Sequence, residues 1–208
     1  MTGIKICGLK RLIDVEYVNK YLPDYVGFVF AESQRKVEPT YAALMSEHLK
    51  PGIKKVGVFV NADISAVENT VKLCGLDVIQ LSGDEDVEYV KELARKAGRY
   101  FEIWKSIRVK DRDSLNAADK YPVDAYLLDA CAKGSYGGSG ISFDWNVATG
   151  AAESRKIILA GGLNPENVKK AVEIVKPFAV DVSSGVETGG FKDEAKIRDF
   201  IQAVRSLL

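Results

Sequence analysis

Residues 56–75 read VGVFVNADISAVENTVKLCG and contain one complete strand–helix unit. The run from Val56 to Val60 is apolar and largely β-branched, which is typical of a parallel strand covered on both faces. After Asp63, apolar residues recur at helical spacing until Gly75, which supplies a helix stop. The segment therefore predicts a strand followed directly by an amphipathic helix.

The same alternation recurs along the whole chain. Eight short runs predict strands: Ile4–Ile6, Tyr25–Phe30, Val56–Val60, Val78–Leu81, Glu102–Ser106, Ala125–Leu128, Ile157–Ala160 and Ala179–Val182. Helical patterns separate them, although those near Asp113–Ala118 and Trp145–Ala152 are short. Asn164-Pro165 predicts a helix start with proline at the first helical position, and Asp193 predicts another helix start.

Eight such βα units predict an α/β fold of the (β/α)8 TIM-barrel type, with residues 1–208 as a single domain. The alternative is an open doubly wound sheet, which usually carries a glycine-rich turn after its first strand. Cys7-Gly8-Leu9-Lys10 does not match that GxGxxG pattern. The barrel is therefore the favoured architecture.

Composition excludes several classes of function. Of 208 residues, 47% are hydrophobic and 28% charged, and 29 basic residues balance 29 acidic ones, which argues against nucleic acid as a partner. The absence of a long apolar run or a signal-peptide pattern argues against a membrane span and for the cytoplasm. Three widely spaced cysteines indicate free thiols, and His48 is the one histidine, so a serine–histidine triad or a multi-histidine metal site is not expected.

Polar groups and glycines follow most of the predicted strands, where TIM barrels place their chemistry. In chain order they are Cys7, Ser33 with Arg35, Asn61, Gln80 with Ser82, Ser106 with Arg108, Asp129, Gly161-Gly162 and Ser183-Ser184-Gly185. The last two sets predict a phosphate site built from backbone N–H groups, although glycines that merely turn a strand are the alternative. The alternatives are that Cys7 is a small core residue and that Asp129 caps a loop. Cys74 and His48 are expected to be structural.

Blocks of sequence spread over the whole chain resemble the phosphoribosylanthranilate isomerases of tryptophan biosynthesis. They are Lys5-Ile-Cys-Gly8, Gly27-Phe-Val-Phe30, Ser33-Gln-Arg35, Val56–Asn61, Gln80-Leu-Ser-Gly83, Leu127-Leu-Asp129, Gly137-Gly-Ser-Gly140, Phe143-Asp-Trp145, Leu159–Leu163, Asp181–Glu187, Gly190-Phe-Lys-Asp193 and Lys196-Ile197. Each block is weak alone, but the ordered set is specific. Three positions depart from the pattern: Gln34 for proline, Ser82 for histidine and Ser139 for threonine.

The resemblance implies an Amadori rearrangement of N-(5′-phosphoribosyl)anthranilate by general acid–base catalysis, without metal or cofactor. It implies that Cys7 is the general base and Asp129 the general acid, and that Arg35 contacts the anthranilate carboxylate. Gly161, Gly162, Ser183, Ser184 and Gly185 would hold the phosphate, and Gln80 is counted with the substrate-binding residues. The partner is then a small phosphorylated molecule, and the protein a monomer or homodimer.

The proposed roles set conditions on both proton-transfer groups. The pKa of Asp129 must rise toward neutrality, and burial beneath the glycine-rich loop 134–140 is the expected cause. The pKa of Cys7 must fall, or the thiol must deprotonate when substrate binds. If Cys7 is not the base, Asp181 and Glu187 are the next carboxylates to consider.

Two rival functions remain at the level of sequence. A sugar-phosphate isomerase of the histidine pathway would place an aspartate where Cys7 stands. A barrel without catalytic activity could serve as a binding module, although it would not need Cys7, Asp129 and Arg35 together. A turnover assay discriminates between these possibilities.

Overall fold

Eight parallel strands form a closed barrel in which β8 pairs back with β1. The computed structural model describes residues 1–97, 101–109, 112–130 and 145–207. The strands are β1 (Gly3–Cys7), β2 (Tyr25–Val29), β3 (Lys54–Phe59), β4 (Val78–Leu81), β5 (Glu102–Val109), β6 (Ala125–Ala130), β7 (Ile157–Leu159) and β8 (Ala179–Val182). The predicted (β/α)8 barrel is thereby confirmed.

Helices follow the strands on the outside of the barrel. They are α1 (Leu12–Tyr21), α2 (Pro39–Glu47), α3 (Ile64–Cys74), α4 (Val87–Ala97), α5 (Arg112–Asn116), α6 (Ala151–Ser154), α7 (Val168–Val175) and α8 (Glu194–Arg205). Short 3-10 segments, Ala117–Lys120 and Trp145–Ala148, lie beside the two shortest helices. None of the helices in the described parts of the chain has the length and apolarity needed to cross a bilayer.

The boundaries of α3 and α7 can be compared with those predicted from the sequence. Asp63 precedes α3, and Gly75 ends it in the left-handed conformation at φ 58°, as predicted. Helix α7 spans Val168–Val175 and so begins three residues beyond the predicted start at Asn164-Pro165. The Asn164 side chain accepts hydrogen bonds from the N–H groups of Glu166 and Asn167, and its carbonyl accepts one from Val168, so Asn164 caps the turn that leads into the helix.

The fifth and sixth strands are longer than the sequence predicted. Strand β5 continues to Val109 and β6 to Ala130, and the two pair over six residues, including Arg108 with Asp129. Asp129 therefore lies within β6 rather than after it. The hydrophobic run stops early because an inward-facing side chain near the carboxyl end of a barrel strand reaches the mouth and can be polar.

Alternate residues of the strands separate two apolar layers. Residues inside the barrel are Tyr25, Val56, Val78, Trp104, Ala125, Leu127, Ile158, Ala160 and Ala179. The larger cluster, which includes Ile4, Ile6 and Phe28, joins the strands to the helices. Because side chains alternate along a strand, residues two positions beyond the inner set also face the barrel interior.

The segment after β8 adds an antiparallel hairpin that the sequence analysis did not predict. A 3-10 turn (Ser184–Val186) leads into β9 (Glu187–Thr188), which pairs with β10 (Phe191–Lys192). The Asp193 side chain then accepts a hydrogen bond from the N–H of Lys196 and caps α8, as predicted. The hairpin places Glu187 and Lys192 beside the carboxyl end of β1.

Candidate active site

The inward-facing residues become polar toward the carboxyl ends of the strands. By the alternation of the inner set, Lys5 and Cys7 of β1 face the interior, as do Gln80, Ser106, Asp129 and Asp181 of other strands. Apolar side chains fill the barrel beneath them, with Trp104 fully buried. The barrel therefore has an apolar floor and a polar mouth.

One pocket at this mouth joins most of the predicted site residues. It is lined by Asp129, Ala160, Gly161, Gly162, Leu163, Asp181, Val182, Ser183 and Ser184. The structure thus brings Asp129 together with the two glycine- and serine-containing loops that follow β7 and β8. Cys131 and the loop 134–140, which was predicted to fold over a ligand, lie outside the described residues.

The backbone of these two loops has the conformation and the free donors that an anion site needs. Gly161 and Gly162 have φ values of 82° and 65°, in the left-handed region that favours glycine. Within the described parts of the chain, the N–H groups of Gly162, Ser184 and Gly185 donate to no protein acceptor. A side chain on Gly185 would overlap the Leu163 carbonyl oxygen, so the two loops are in direct backbone contact.

Cys7 is buried at the end of β1, next to the loop after β8. Its carbonyl oxygen accepts a hydrogen bond of 3.0 Å from the Ser183 hydroxyl. A Cβ on Gly27 would lie 2.8 Å from the Cys7 sulfur, so glycine leaves the space that the thiol occupies. Burial raises the pKa of the thiol, and the cations of Lys5 and Lys192 only partly offset this effect. The unliganded site therefore holds a thiol, so the lowered Cys7 pKa that was one of the two expectations for this residue is wrong for the free protein.

A buried ion pair lies directly beneath Cys7. The ammonium of Lys5 is 3.0 Å from the Asp181 carboxylate, and the Lys5 side chain has no exposed surface. Lys5 and Asp181 are register partners on adjacent strands β1 and β8. Burial opposes the charge on Lys5, but the attraction of Asp181 and Cys7 leaves the pKa of Lys5 raised, so it is an ammonium.

Arg35 forms a two-pronged ion pair at the same end of the barrel. Its Nε and Nη2 atoms each donate to a Glu187 carboxylate oxygen at 2.8 Å. Lys192 donates to the same carboxylate at 2.8 Å and to the Ser183 carbonyl at 3.0 Å. Burial acts to raise the pKa of Glu187, but the two cations outweigh it and hold that pKa at about 2. Glu187 is therefore ionised at neutral pH and is a poor candidate for a general base.

Gln80 and Ser82 lie on the side of the barrel formed by β4. The Gln80 amide nitrogen donates to the Ser82 hydroxyl at 3.0 Å, while the amide oxygen is buried without a protein partner in the described chain. The following loop is held by a buried pair, in which Lys105 contacts Glu85 at 3.0 Å and the Gly83 carbonyl at 2.8 Å. Strand β4 therefore presents one buried polar atom, the amide oxygen of Gln80, that has no partner in the described chain, and the Lys105–Glu85 pair fixes the loop after the strand.

The residues expected to be structural lie away from this mouth. Cys74 is buried against α2, where its thiol donates to the Pro39 carbonyl. His48 is exposed at the end of α2, with its ring nitrogen 2.8 Å from the Leu44 carbonyl. The described residues contain no cluster of histidine, cysteine and acidic side chains that could hold a metal ion.

Sequence reasoning missed two charged residues of the site, Lys5 and Lys192, and considered Asp181 and Glu187 only as alternative bases. All four surround Cys7 or Arg35. The one available signal was a charged residue inside an apolar strand, as at Lys5 and Asp181. Nothing local indicates that Arg35 and Glu187, 152 positions apart, form a pair.

Comparisons with known proteins agree on one family. A family model described as N-(5′-phosphoribosyl)anthranilate isomerase matches residues 4–203. The N-(5′-phosphoribosyl)anthranilate isomerase of Acetivibrio thermocellus is 56% identical over 210 residues, 99% of this chain and 96% of that protein.

Solved structures of the same family superpose on nearly the whole chain. One shows monomers generated from the dimeric phosphoribosylanthranilate isomerase of Thermotoga maritima. It is 35% identical with a TM-score of 0.86, and the match covers 99% of this chain and 100% of that chain. Another is a phosphoribosylanthranilate isomerase bound to reduced 1-(o-carboxyphenylamino)-1-deoxyribulose 5-phosphate, with 33% identity, a TM-score of 0.85 and the same coverage.

Proposed function

Because the chain belongs to the N-(5′-phosphoribosyl)anthranilate isomerase family, we propose that Cys7 and Asp129 are the proton-transfer groups of its reaction. The enzyme converts N-(5′-phosphoribosyl)anthranilate into 1-(2-carboxyphenylamino)-1-deoxyribulose 5-phosphate in tryptophan biosynthesis. The chemistry needs one acid and one base on opposite sides of the sugar. The site supplies both types of group without a histidine.

The pocket that Asp129 shares with the loops after β7 and β8 is the observation that carries the proposal for Asp129 and the phosphate site. Cys7 does not line this pocket but lies next to it, where its carbonyl accepts a hydrogen bond from Ser183. A phosphate bound at Gly162, Ser184 and Gly185 would fix one end of the sugar phosphate. The sugar would then extend across the mouth, between Asp129 on β6 and Cys7 on β1. Backbone donors suit this role because a dianion held by N–H groups requires no cation to be buried with it.

Asp129 acts as the general acid in this proposal. It gives a proton to the ring oxygen as the bond between that oxygen and C1′ breaks, which leaves an iminium ion. Cys7, as the thiolate, then removes the proton from C2′. The electrons of that C–H bond form the C1′–C2′ double bond, and the iminium pair returns to nitrogen to give an enolamine, which tautomerises to the ketone.

The raised pKa of Cys7 indicates when the thiolate forms. In the unliganded site, burial favours the thiol. The positive iminium centre adds a charge beside the sulfur and offsets that burial cost, as an opposite charge within a few ångströms does. Loss of the thiol proton to solvent after substrate has bound, as the ring opens and the iminium forms, therefore fits the site better than a thiolate present from the outset.

Arg35 is proposed to bind the anthranilate carboxylate with the part of its guanidinium that Glu187 leaves free. Glu187 occupies the Nε and Nη2 edge. The edge formed by Nη1 and Nη2 offers a second planar fork that matches a carboxylate. Glu187 thus orients Arg35 rather than competing with the substrate. Gln80, whose buried amide oxygen has no partner among the described residues, is proposed to accept a hydrogen bond from the substrate.

We propose that residues 1–208 form a single domain and that the protein works as a monomer or homodimer in the cytoplasm. A related isomerase is described as dimeric, which supports a test of both states. Sedimentation analysis of the full chain at several concentrations distinguishes them.

Replacing the two proton-transfer groups tests the proposed function. Cys7→Ser and Asp129→Asn each nearly conserve shape but remove the base or the acid, so kcat should fall by about 10²–10⁴. Loss of anthranilate fluorescence in freshly prepared substrate measures turnover, and circular dichroism checks folding. Cys74→Ser, which changes the other described thiol, should retain kcat. Activity of Cys7→Ser within about tenfold of the parent would leave the base unidentified.

A further inference from the structure

The mechanism described above leaves a buried lysine unused. Lys5 has a fully buried side chain inside the barrel, two residues before Cys7 on the same strand and on the same face. Its ammonium contacts the Asp181 carboxylate at 3.0 Å. The pair therefore lies in the layer directly below the proposed base.

Stability alone does not explain this arrangement. Removing two charges from water is costly, and a buried ion pair can often be replaced by apolar residues of similar volume without loss of stability. The inner layer already contains such residues in Val56, Val78 and Ala179. An apolar pair at positions 5 and 181 would continue that packing, so the charges require another explanation.

The neighbours of Cys7 define what the charges do. Lys5 of β1 and Lys192 of β10 are the cations that lower the pKa of its thiol, and Asp181 of β8 raises it. Arg35 also interacts electrostatically with Cys7. Arg35 and Lys192 are both paired with the Glu187 carboxylate, whereas Lys5 is paired, among the described residues, with Asp181 alone.

We propose that Lys5, oriented by Asp181, is a positioning residue that stabilises the thiolate of Cys7. Asp181 keeps the lysine charged inside the barrel and directs its ammonium along β1 toward the sulfur. The iminium centre of the substrate approaches from the solvent side and Lys5 acts from below. The inference rests on the proposed role of Cys7 as the base.

The two halves of the ion pair give shifts of opposite sign. Lys5→Met removes the cation and leaves the neighbouring carboxylate, so the pKa of Cys7 should rise by about one unit or more. Asp181→Asn removes the anion, which makes Cys7 the nearest partner of Lys5, so the pKa of Cys7 should fall by a similar amount. A pair whose charges do not act on the sulfur would give shifts in the same direction or none.

The ultraviolet absorbance of the thiolate during a pH titration measures this pKa directly. Each variant is compared with its own Cys7→Ser counterpart, which subtracts the other thiols and the tyrosines. The acidic limb of kcat/KM should move in the same direction as the thiol pKa in both variants. If Lys5→Met does not fold, Asp181→Asn alone tests the sign.

The outcomes separate this inference from the proposed function. An unchanged or lowered Cys7 pKa in Lys5→Met, or a raised one in Asp181→Asn, overturns the role of Lys5. Full activity of the Cys7→Ser protein overturns the proposed base instead, and the titration still reports whether Lys5 acts on the sulfur. Opposite shifts with matching kcat/KM limbs support both.

Discussion

At the scale of single residues, Gln80 and Ser82 at β4 are expected to take no part in the chemical step. Ser82 stands where other members of the family usually have histidine, and its hydroxyl accepts a hydrogen bond from Gln80. No proton transfer in the proposed mechanism passes through either side chain. Ser82→Ala should therefore keep kcat within a few-fold, measured in the same fluorescence assay with Asp129→Asn as the inactive reference. A loss as large as that of Asp129→Asn would mean that this strand takes part in catalysis.

Glu187 offers a second test at the same scale. If it orients Arg35 toward the substrate carboxylate, Glu187→Gln should raise KM several-fold and change kcat less, because the disturbed interaction is already made in the ground state. Glu32→Gln is the matched control, since it removes an exposed carboxylate paired with Lys36 near Arg35. A fall in kcat with unchanged KM would place Glu187 in the chemical step.

At the scale of elements, the loops after β7 and β8 act as one unit because their backbones touch. A methyl group on Gly185 overlaps the Leu163 carbonyl, and one on Gly162 requires φ near 65°. Gly185→Ala and Gly162→Ala should each raise KM by about tenfold with little change in kcat, because phosphate binding is a ground-state interaction.

Gly52→Ala is the control that separates backbone strain from an effect on phosphate binding. Gly52, in the turn before β3, also has positive φ, at 95°, and has open space around its Cβ position. Gly52→Ala should cost some stability and leave KM unchanged. A KM effect in Gly52→Ala equal to that in Gly162→Ala would show that general strain, and not the phosphate loop, governs binding.

Strands and helices could be predicted from the sequence where a local pattern of residues determines them. Parallel strands buried on both faces are apolar almost throughout, so each of the eight predicted runs overlaps an observed strand. Strands β5 and β6 were shortened in the prediction because polar residues at a barrel mouth resemble a loop. The start of α7 was placed three residues early because Asn164 caps a turn that precedes the regular helix.

At the scale of the whole molecule, the contacts around the site join distant parts of the chain. Arg35 follows β2, whereas Glu187 and Lys192 belong to the hairpin after β8. Barrel closure between β1 and β8 brings these segments together. The fold class follows from repetition along the chain, but the ion pairs depend on which ends meet in space. The electrostatic environment of Cys7 and the partners of Arg35 could therefore be identified only from the structure.

The Glu187 pairs also predict how stability depends on acidity. The pKa of Glu187 is about 2 in the folded protein, against 4.5 as its ordinary value, so its contribution is complete above pH 4.5 and is lost as the pH falls toward 2. After allowance for solvent screening, this amounts to about 2 kcal/mol. Glu187→Gln should therefore lower the free energy of unfolding by about that amount at neutral pH and flatten its decline below pH 4.5.

Urea denaturation at a series of pH values measures both effects. Glu88→Gln, which breaks an exposed pair with Lys91, should give a curve parallel to the parent. Parallel curves for Glu187→Gln as well would show that the Arg35–Glu187–Lys192 contacts do not help to hold the hairpin against the barrel.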